Sequence, residues 1–113
     1  MKNLAEFQII GRVGTIRQFE NVTRVAVAAN YRRKDANGEW IEEADWNEVT
    51  IFSENNRKYI AEHIKAGDLV HTRGRIRQNT YSDKDTGEDR YTVDMIANEF
   101  SRLCRKQAEG DNA

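Results

Sequence analysis

The stretch Trp46-Asn47-Glu48-Val49-Thr50-Ile51-Phe52 alternates in character with a period of two residues. That period indicates a β-strand, because successive side chains of a strand point to opposite faces of the sheet. Val49 and Ile51 fall on one face, and Trp46, Glu48, Thr50 and Phe52 fall on the other. Two interpretations stay open: either Val49 and Ile51 enter the core and the aromatic rings are exposed, or the rings are the core.

A single short helix is predicted directly after this strand. Ser53 is a suitable N-cap, and Ile60 and Ile64 lie four residues apart and therefore on one side of a helix. Gly67 is expected to end the segment at the C′ position, where the left-handed conformation of glycine is favoured.

The rest of the chain predicts four further strands and two hairpin turns. Asn37-Gly38 suggests a type I′ turn, and Ser82–Glu88 is expected to form the second hairpin tip. On the fourth strand Val70, Thr72, Gly74 and Ile76 should share one face. The four strands are predicted at Phe7–Ile16, Val22–Tyr31, Leu69–Arg77 and Arg90–Phe100. An all-β, five-stranded order with one short helix between strands 3 and 4 is typical of an OB-fold barrel.

Length and charge bound the possible functions. The chain has 113 residues, enough for one domain, and its net charge of −1 argues against a strongly basic nucleic-acid binder. Charge is nevertheless segregated: the segment from Arg12 to Lys34 holds six basic residues and one acidic residue. Such blocks can sort onto one face of a fold and form a basic groove. With no long apolar run and with Cys104 as its one cysteine, the chain is expected to be cytoplasmic and not membrane-bound.

Aromatic and basic residues recur together, which points to single-stranded nucleic acid. Every base has a flat π-face, so a protein that holds any sequence stacks bases on aromatic rings and contacts phosphates with Arg and Lys. The candidate rings are Trp46, Phe52, Tyr81, Trp40 and Tyr31, and the candidate cations are Arg32, Arg33, Lys34, Arg73, Arg75 and Arg77. The arginines of the fourth strand also fit an ordinary solvated face, and Trp40 also fits a role in packing the hairpin.

Several quoted segments, taken in order, resemble the bacterial single-stranded-DNA-binding proteins. They are Gly11-Arg12-Val13-Gly14, Lys34-Asp35-Ala36-Asn37-Gly38-Glu39-Trp40, Glu43 to Phe52, Gly74-Arg75-Ile76-Arg77 and Asp89-Arg90-Tyr91-Thr92. The resemblance covers roughly Phe7 to Phe100. It implies an OB-fold, a homotetramer, and sequence-independent binding of single-stranded DNA in replication, repair, recombination or plasmid and phage DNA metabolism, without catalysis or cofactor.

The chain departs from the pattern of that family at three places. Asn47 stands where the family commonly has His at a subunit contact, and Glu48 stands where a basic residue is common. A carboxylate on the binding strand should weaken DNA binding locally. Residues 1–104 are expected to form the binding domain and 105–113 a short polar tail without the acidic Ile-Pro-Phe ending that recruits partners in the family. A truncated chain and a naturally short form both fit, and partners that depend on the tail are doubtful.

Catalytic and metal-binding interpretations find little support. His63, His71 and Cys104 lack the paired spacing of a zinc site, and no nucleophile lies in a recognisable motif. We therefore expect no metal, no cofactor and no enzymatic activity. The remaining alternative is an OB-fold protein-interaction module of a primosome or replisome with weak DNA affinity, which Glu48 and the net charge of −1 favour.

Overall fold

The computed structural model describes residues 3–106, which form a closed barrel of five strands with one helix. Around the barrel the strands follow the order β1-β2-β3-β5-β4, and all neighbours are antiparallel except β3 and β5, which pair in parallel through Val49 and Thr50. The elements are β1 Glu6–Gln18, β2 Thr23–Lys34, β3 Trp40–Ile51, α1 Glu54–His63, β4 Leu69–Ser82 and β5 Asp89–Cys104. The predicted OB-fold barrel is confirmed. The strands are longer than predicted because β2 with β3, and β4 with β5, continue beyond the barrel as two-stranded arms.

The core selects between the two interpretations of β3. Val49 and Ile51 are fully buried, together with Val25 and Val27 of β2, whereas Trp46 is 59% exposed and Phe52 is 51% exposed. The interpretation that puts the rings in the core is therefore wrong. Branched aliphatic side chains, with Phe7 and Phe100, fill the narrow interior of the barrel, and the rings of Trp46 and Phe52 stay outside.

The helix begins as predicted but ends earlier. The Oγ of Ser53 accepts a hydrogen bond from the backbone N–H of Asn56, and Ile60 is fully buried. The prediction that Gly67 ends the helix is wrong: α1 ends at His63, and Ile64 is extended with φ −94° and ψ 132°.

Hydrogen bonds to β1 explain this early end. The N–H of Gly67 donates to the carbonyl of Val13 at 2.8 Å, and the N–H of Val13 donates to the carbonyl of Asp68 at 2.9 Å. The segment Lys65–Asp68 is thus a tight turn paired with β1, with Gly67 at φ +94° and the N–H of Asp68 donating to the carbonyl of Lys65 at 3.1 Å. Only glycine adopts that φ without strain.

Both hairpins form, but the first uses a different turn from the predicted type I′. A type I′ turn needs positive φ at both central residues, and in the structure Gly38 has φ +81° whereas Asn37 does not have positive φ. The N–H of Gly38 donates to the carbonyl of Asp35 and the N–H of Asp35 donates to the carbonyl of Glu39, so the loop has three residues with Gly38 in the left-handed position. The second tip lies between Ser82 and Asp89, as predicted.

The fourth strand keeps the predicted alternation, but it faces the barrel interior only as far as Gly74. Val70, Thr72 and Gly74 are buried, but Ile76 is 37% exposed. The register between β4 and β5 shifts between Arg73 and Gly74, and beyond this bulge the two strands leave the barrel. Ile76 keeps its predicted side of the strand but is partly exposed, because β4 has left the barrel interior at that level.

Within residues 3–106 no helix is long and apolar enough to cross a membrane. Of the predicted tail, 107–113 lies outside the described residues, so the division at 104 stays a prediction.

Candidate nucleic-acid interface

The ladder between β2 and β3 places the two tryptophans on the same side of the sheet. Its register runs from Thr23 opposite Ile51 to Lys34 opposite Trp40 without a bulge. Alternation is therefore unbroken, and Trp40 and Trp46 share the face opposite to that of buried Val49. We call this surface the Trp46 face.

Trp46 lies across the neighbouring strands and does not project freely into solvent. Its partner in the β2 ladder is Ala28, which is buried although it is on the outer side. On the next strand, a Cβ added to Gly14 would lie 2.5 Å from Cζ3 of the indole. The ring therefore rests above Gly14 of β1 and keeps more than half of its surface open for a stacked base.

Gly14 is a positioning residue that the sequence prediction missed. Sequence analysis identifies Gly14 within a resembling segment, and a glycine inside a strand is a known signal of close approach by another group. The signal did not identify which group approaches, because Trp46 lies 32 positions further along the chain.

Trp40 stands near the end of the β2–β3 arm with two cations against its ring. The guanidinium carbon of Arg32 and the Nζ of Lys34 each lie 5.3 Å from the ring centroid. Both distances are within the range of cation–π attraction. The arm thus presents a ring and two positive charges on the Trp46 face.

The four candidate residues from Tyr31 to Lys34 are divided between two faces. Arg32 and Lys34 lie on the Trp46 face, and Tyr31 and Arg33 lie on the opposite side by alternation. Arg33 is also paired, with its Nε 2.5 Å from Oε2 of Glu43. Because the segment is a continuous β-strand, these four candidates lie on two sides of the β2–β3 arm.

Phe52 follows the last residue of β3, and its ring is half exposed. The Nε of Arg57 donates to the carbonyl of Phe52 at 3.1 Å, and a terminal nitrogen of the same guanidinium donates to the carbonyl of Glu20 at 3.2 Å. Arg57 therefore ties the turn before α1 to the loop between β1 and β2, and it fixes the backbone that carries the ring.

Tyr81 lies on the same side of β4 as three arginines, because these residues are separated by even numbers of positions along the strand. The arginines are Arg73, Arg75 and Arg77. Tyr81 is half exposed on the β4–β5 arm. Arg73 is 3.3 Å from a carboxylate oxygen of Glu6, and the Nε of Arg77 is 3.6 Å from Oδ2 of Asp94, whereas Arg75 takes part in no ion pair among residues 3–106. Arg75 is thus the arginine of this stripe whose charge is not already balanced.

The hairpin tip beyond Tyr81 is ordered by one carboxylate. Asp83 accepts hydrogen bonds from the backbone N–H of Asp85 and from the Nε of Arg90, each at 2.8 Å. Both bonds favour the charged form and hold the pKa of Asp83 below its usual value.

Glu48 lies on the Trp46 face as predicted, but its charge is balanced. Its carboxylate forms an ion pair with the guanidinium of Arg17 on β1. The pair neutralises the carboxylate that favoured the protein-interaction alternative. Asn47, on the other side of the strand, is half-buried and donates from Nδ2 to the carbonyl of Asp45.

The residues weighed as metal ligands are apart from one another. His71 hydrogen-bonds to the side-chain amide of Gln8 at 2.8 Å, and the ring of His63 packs 5.4 Å from that of Tyr59. Cys104 is exposed at the end of β5. In the part of the chain that the structure describes, no three His, Cys, Asp or Glu side chains form a group that could hold a metal ion.

Relatives and solved structures agree with this geometry. The model of the Single-strand binding protein family matches residues 4–103. Two proteins named single-stranded DNA-binding protein are each 32% identical to the chain. The Neisseria meningitidis serogroup A protein matches over 84% of this chain and 57% of its own length, and the Xanthomonas axonopodis pv. citri protein over 73% and 44%. The chain thus spans about half the length of these relatives.

Solved structures share the fold at low sequence identity. The mitochondrial single-stranded DNA binding protein of S. cerevisiae superimposes with a TM-score of 0.72 at 16% identity, over 93% of this chain and 100% of that one. The Plasmodium falciparum protein, solved as a complex with ssDNA, gives 0.69 at 20% identity, over 92% and 97%. The barrel, the exposed rings and the match over residues 4–103 lead to one conclusion: the chain belongs to the single-strand binding protein family.

Proposed function

We propose that this protein binds single-stranded DNA without sequence preference, by stacking bases on the Trp46 face and holding phosphates with the surrounding cations. The observation that carries the proposal is the indole of Trp46, which lies across β2 onto Gly14 and stays 59% exposed. A large ring held in place and left open to solvent is a ready stacking platform, worth about 1 to 3 kcal/mol per base.

The Trp46 face and the outward-facing residues of β4 supply the remaining parts of the site. Trp40, Phe52 and Tyr81 are the further rings, and Arg32, Lys34 and Arg75 are the cations placed for phosphates. Arg73 and Arg77 contact DNA after exchanging Glu6 and Asp94 for phosphate. Tyr31 and Arg33 contact only a strand that passes around the β2–β3 arm, because they face its other side.

The proposal is tested by titrating oligo-dT of about 20 nucleotides and a duplex of the same length at several salt concentrations. We expect tight binding of the single strand, weak binding of the duplex, and affinity that falls as salt rises, because phosphate contacts release counterions. Trp46→Ala should lose affinity, whereas Tyr31→Ala, which removes an equally exposed ring from the opposite side, should lose much less. Equal affinity for duplex and single strand would contradict the proposal.

We further propose that the protein acts as a non-enzymatic homotetramer in the cytoplasm, in replication, repair, recombination or plasmid and phage DNA metabolism. The segment Glu6–Gly11 of β1 pairs only with β4 among the described strands, which leaves one strand edge for another copy. Ile10, in this segment, is 56% exposed. Pairing of such edges across two-fold axes gives closed oligomers.

A further inference from the structure

A basic cavity lies at the end of the barrel where α1 leads into β4. It has a volume of about 360 Å³. Its charged lining residues are Lys65, Arg102, Arg105 and Lys106, with His63, Glu62 and Asp68. We call it the Lys65 cavity. Sequence analysis identified none of these cations as a binding residue.

The carboxylate of Asp68 is occupied within the protein. Its oxygens accept hydrogen bonds from the backbone N–H groups of Lys65 at 2.9 Å and Lys106 at 3.1 Å. Its Oδ2 also lies 3.7 Å from a guanidinium nitrogen of Arg102. Burial alone would raise the pKa of Asp68, but these hydrogen bonds and the Arg102 charge outweigh it and lower the pKa. Asp68 is therefore an ionised structural hub that offers no free oxygen to the cavity.

Three cations of the cavity remain for a ligand. Arg102 is already occupied by contacts within the protein, since it is paired with Asp68 and also donates to the carbonyl of His63 at 2.6 Å. Lys65, Arg105 and Lys106 are exposed and take part in no ion pair among residues 3–106. The side chain of Lys106 lies over Gly67, where an added Cβ would be 2.4 Å from its Cδ, so glycine at 67 permits this placement. Of the two carboxylates that line the cavity within residues 3–106, Glu62 is the one that is not bonded to the backbone.

The barrel register links this cavity to the Trp46 face. Trp46 lies opposite Ala28, Ala28 opposite Arg12, and Arg12 opposite Leu69, which follows Asp68 in the chain. Three strand spacings of about 4.8 Å separate Trp46 from Leu69, on the order of 14 Å around the barrel. Arg12 stands between them, and its guanidinium donates to the carbonyl of Gly67 at 3.2 Å. The positive charge of Arg12 therefore lies between the indole and the cavity.

We propose that single-stranded DNA leaving Trp46 passes Arg12 and that its phosphates bind in the Lys65 cavity. The inference rests on the proposed function and extends the binding surface beyond the aromatic face. At a rise of 3.4 Å per nucleotide, about four nucleotides span the distance to the cavity. An acidic protein segment would also suit the charge, but the position of Arg12 between Trp46 and the cavity favours a polyanion that also carries stacking bases.

The test compares three variants that each lower the net charge by two: Lys65→Glu, Arg105→Gln with Lys106→Gln, and the control Lys58→Glu. Lys58 is an exposed lysine of α1 beside a different cavity, with Phe19 and Ala61. Affinity is measured for oligo-dT of about 3 nucleotides, too short to reach from Trp46 to the cavity, and of about 20 nucleotides across a salt series, and thermal unfolding checks that each variant folds. The two cavity substitutions are independent, so the test does not depend on either one alone.

We expect the cavity variants to match Lys58→Glu on the short oligonucleotide and to bind the long one more weakly. Each lost phosphate contact should lower the log-log salt slope by about 0.7, so the double variant should lose about 1.4 on the long oligonucleotide. Cavity variants that match Lys58→Glu at both lengths would overturn the inference while leaving the proposed function intact. Failure of the unmodified protein to bind either oligonucleotide would instead overturn the proposed function.

Binding of a glutamate peptide of about ten residues tests whether the cavity accepts an acidic protein segment instead of DNA. If the unmodified protein binds the peptide, the cavity variants lose it, and their DNA salt slopes stay at the control value, the cavity accepts an acidic protein segment and the DNA inference is wrong. If the peptide competes only with the long oligonucleotide, both ligands use the same cations and the inference stands.

Discussion

Replacing Gly14 by Ala should weaken DNA binding by moving Trp46 while leaving the barrel intact. The new Cβ would lie 2.5 Å from Cζ3 and 2.8 Å from Cη2 of the indole. Ordinary carbon contacts are about 3.5 to 4.0 Å, so the ring must retreat by about 1 Å. The nearest backbone atom, the carbonyl oxygen of Ala26, is at an unstrained 3.6 Å, and Gly14 is not among the glycines with positive φ. Only an exposed side chain has to move.

The magnitude is bounded by the stacking energy of the ring. Loss of one stacked base costs about 1 to 3 kcal/mol, or about 5- to 150-fold in affinity, and Trp46→Ala should show that full loss. Gly14→Ala should lose part of it, with the free energy of unfolding changed by no more than about 1 kcal/mol. Gly74→Ala is the contrasting control: its Cβ would meet the carbonyl oxygen of Ile96 at 1.9 Å, so it should unfold the protein.

The assay is an oligo-dT titration at fixed salt, read by tryptophan fluorescence and by filter binding, combined with a double-mutant cycle. If Gly14 acts through Trp46, then Gly14→Ala should have no further effect on affinity in the Trp46→Ala background. Equal losses from Gly14→Ala in both backgrounds would refute the reasoning, because Gly14 would then act on DNA by another route.

Three further predictions concern other parts of the molecule. Glu48→Gln should free Arg17 for phosphate, so ssDNA affinity should rise and the salt slope should increase by about 0.7, with stability changed by less than about 1 kcal/mol because the pair is half exposed; unchanged affinity in the same titration would contradict this. Asp68→Asn should destabilise the fold by about 1 to 3 kcal/mol in urea unfolding at pH 7. Because the pKa of Asp68 is lowered in the folded state, its contribution is present above about pH 4 and is lost as pH falls through the folded pKa, so the difference from the unmodified protein should shrink at pH 3; a constant difference would argue against an ionised hub. Ile10→Glu should place a charge on the unpaired edge of β1 and lower the mass in light scattering towards that of a single chain, and an unchanged oligomer would exclude this edge as the contact.

The sequence by itself determined the elements whose signals are local. The period of two in Trp46–Phe52 predicted that Val49 and Ile51 share one face of the strand and the rings the other, and the structure adds that the aliphatic face is the buried one. Ser53 marked the start of the helix, and the second hairpin tip lies between Ser82 and Asp89 as predicted. These features depend on alternation, capping and turn propensity, which are set by residues close together in the chain.

Tertiary structure alone decided the features that join distant parts of the chain. Pairing with Val13 turns Lys65–Asp68 away from the helix that Gly67 was expected to end, and the end of the barrel interior at the β4–β5 bulge leaves Ile76 exposed. The contact of the Trp46 ring with Gly14 and the hydrogen bond from the N–H of Lys106 to Asp68 likewise form only when the barrel closes. Apart from the bond between Lys65 and Asp68, each of these contacts joins residues far apart in the chain, and a one-dimensional pattern carries no information about which strands become neighbours around the barrel.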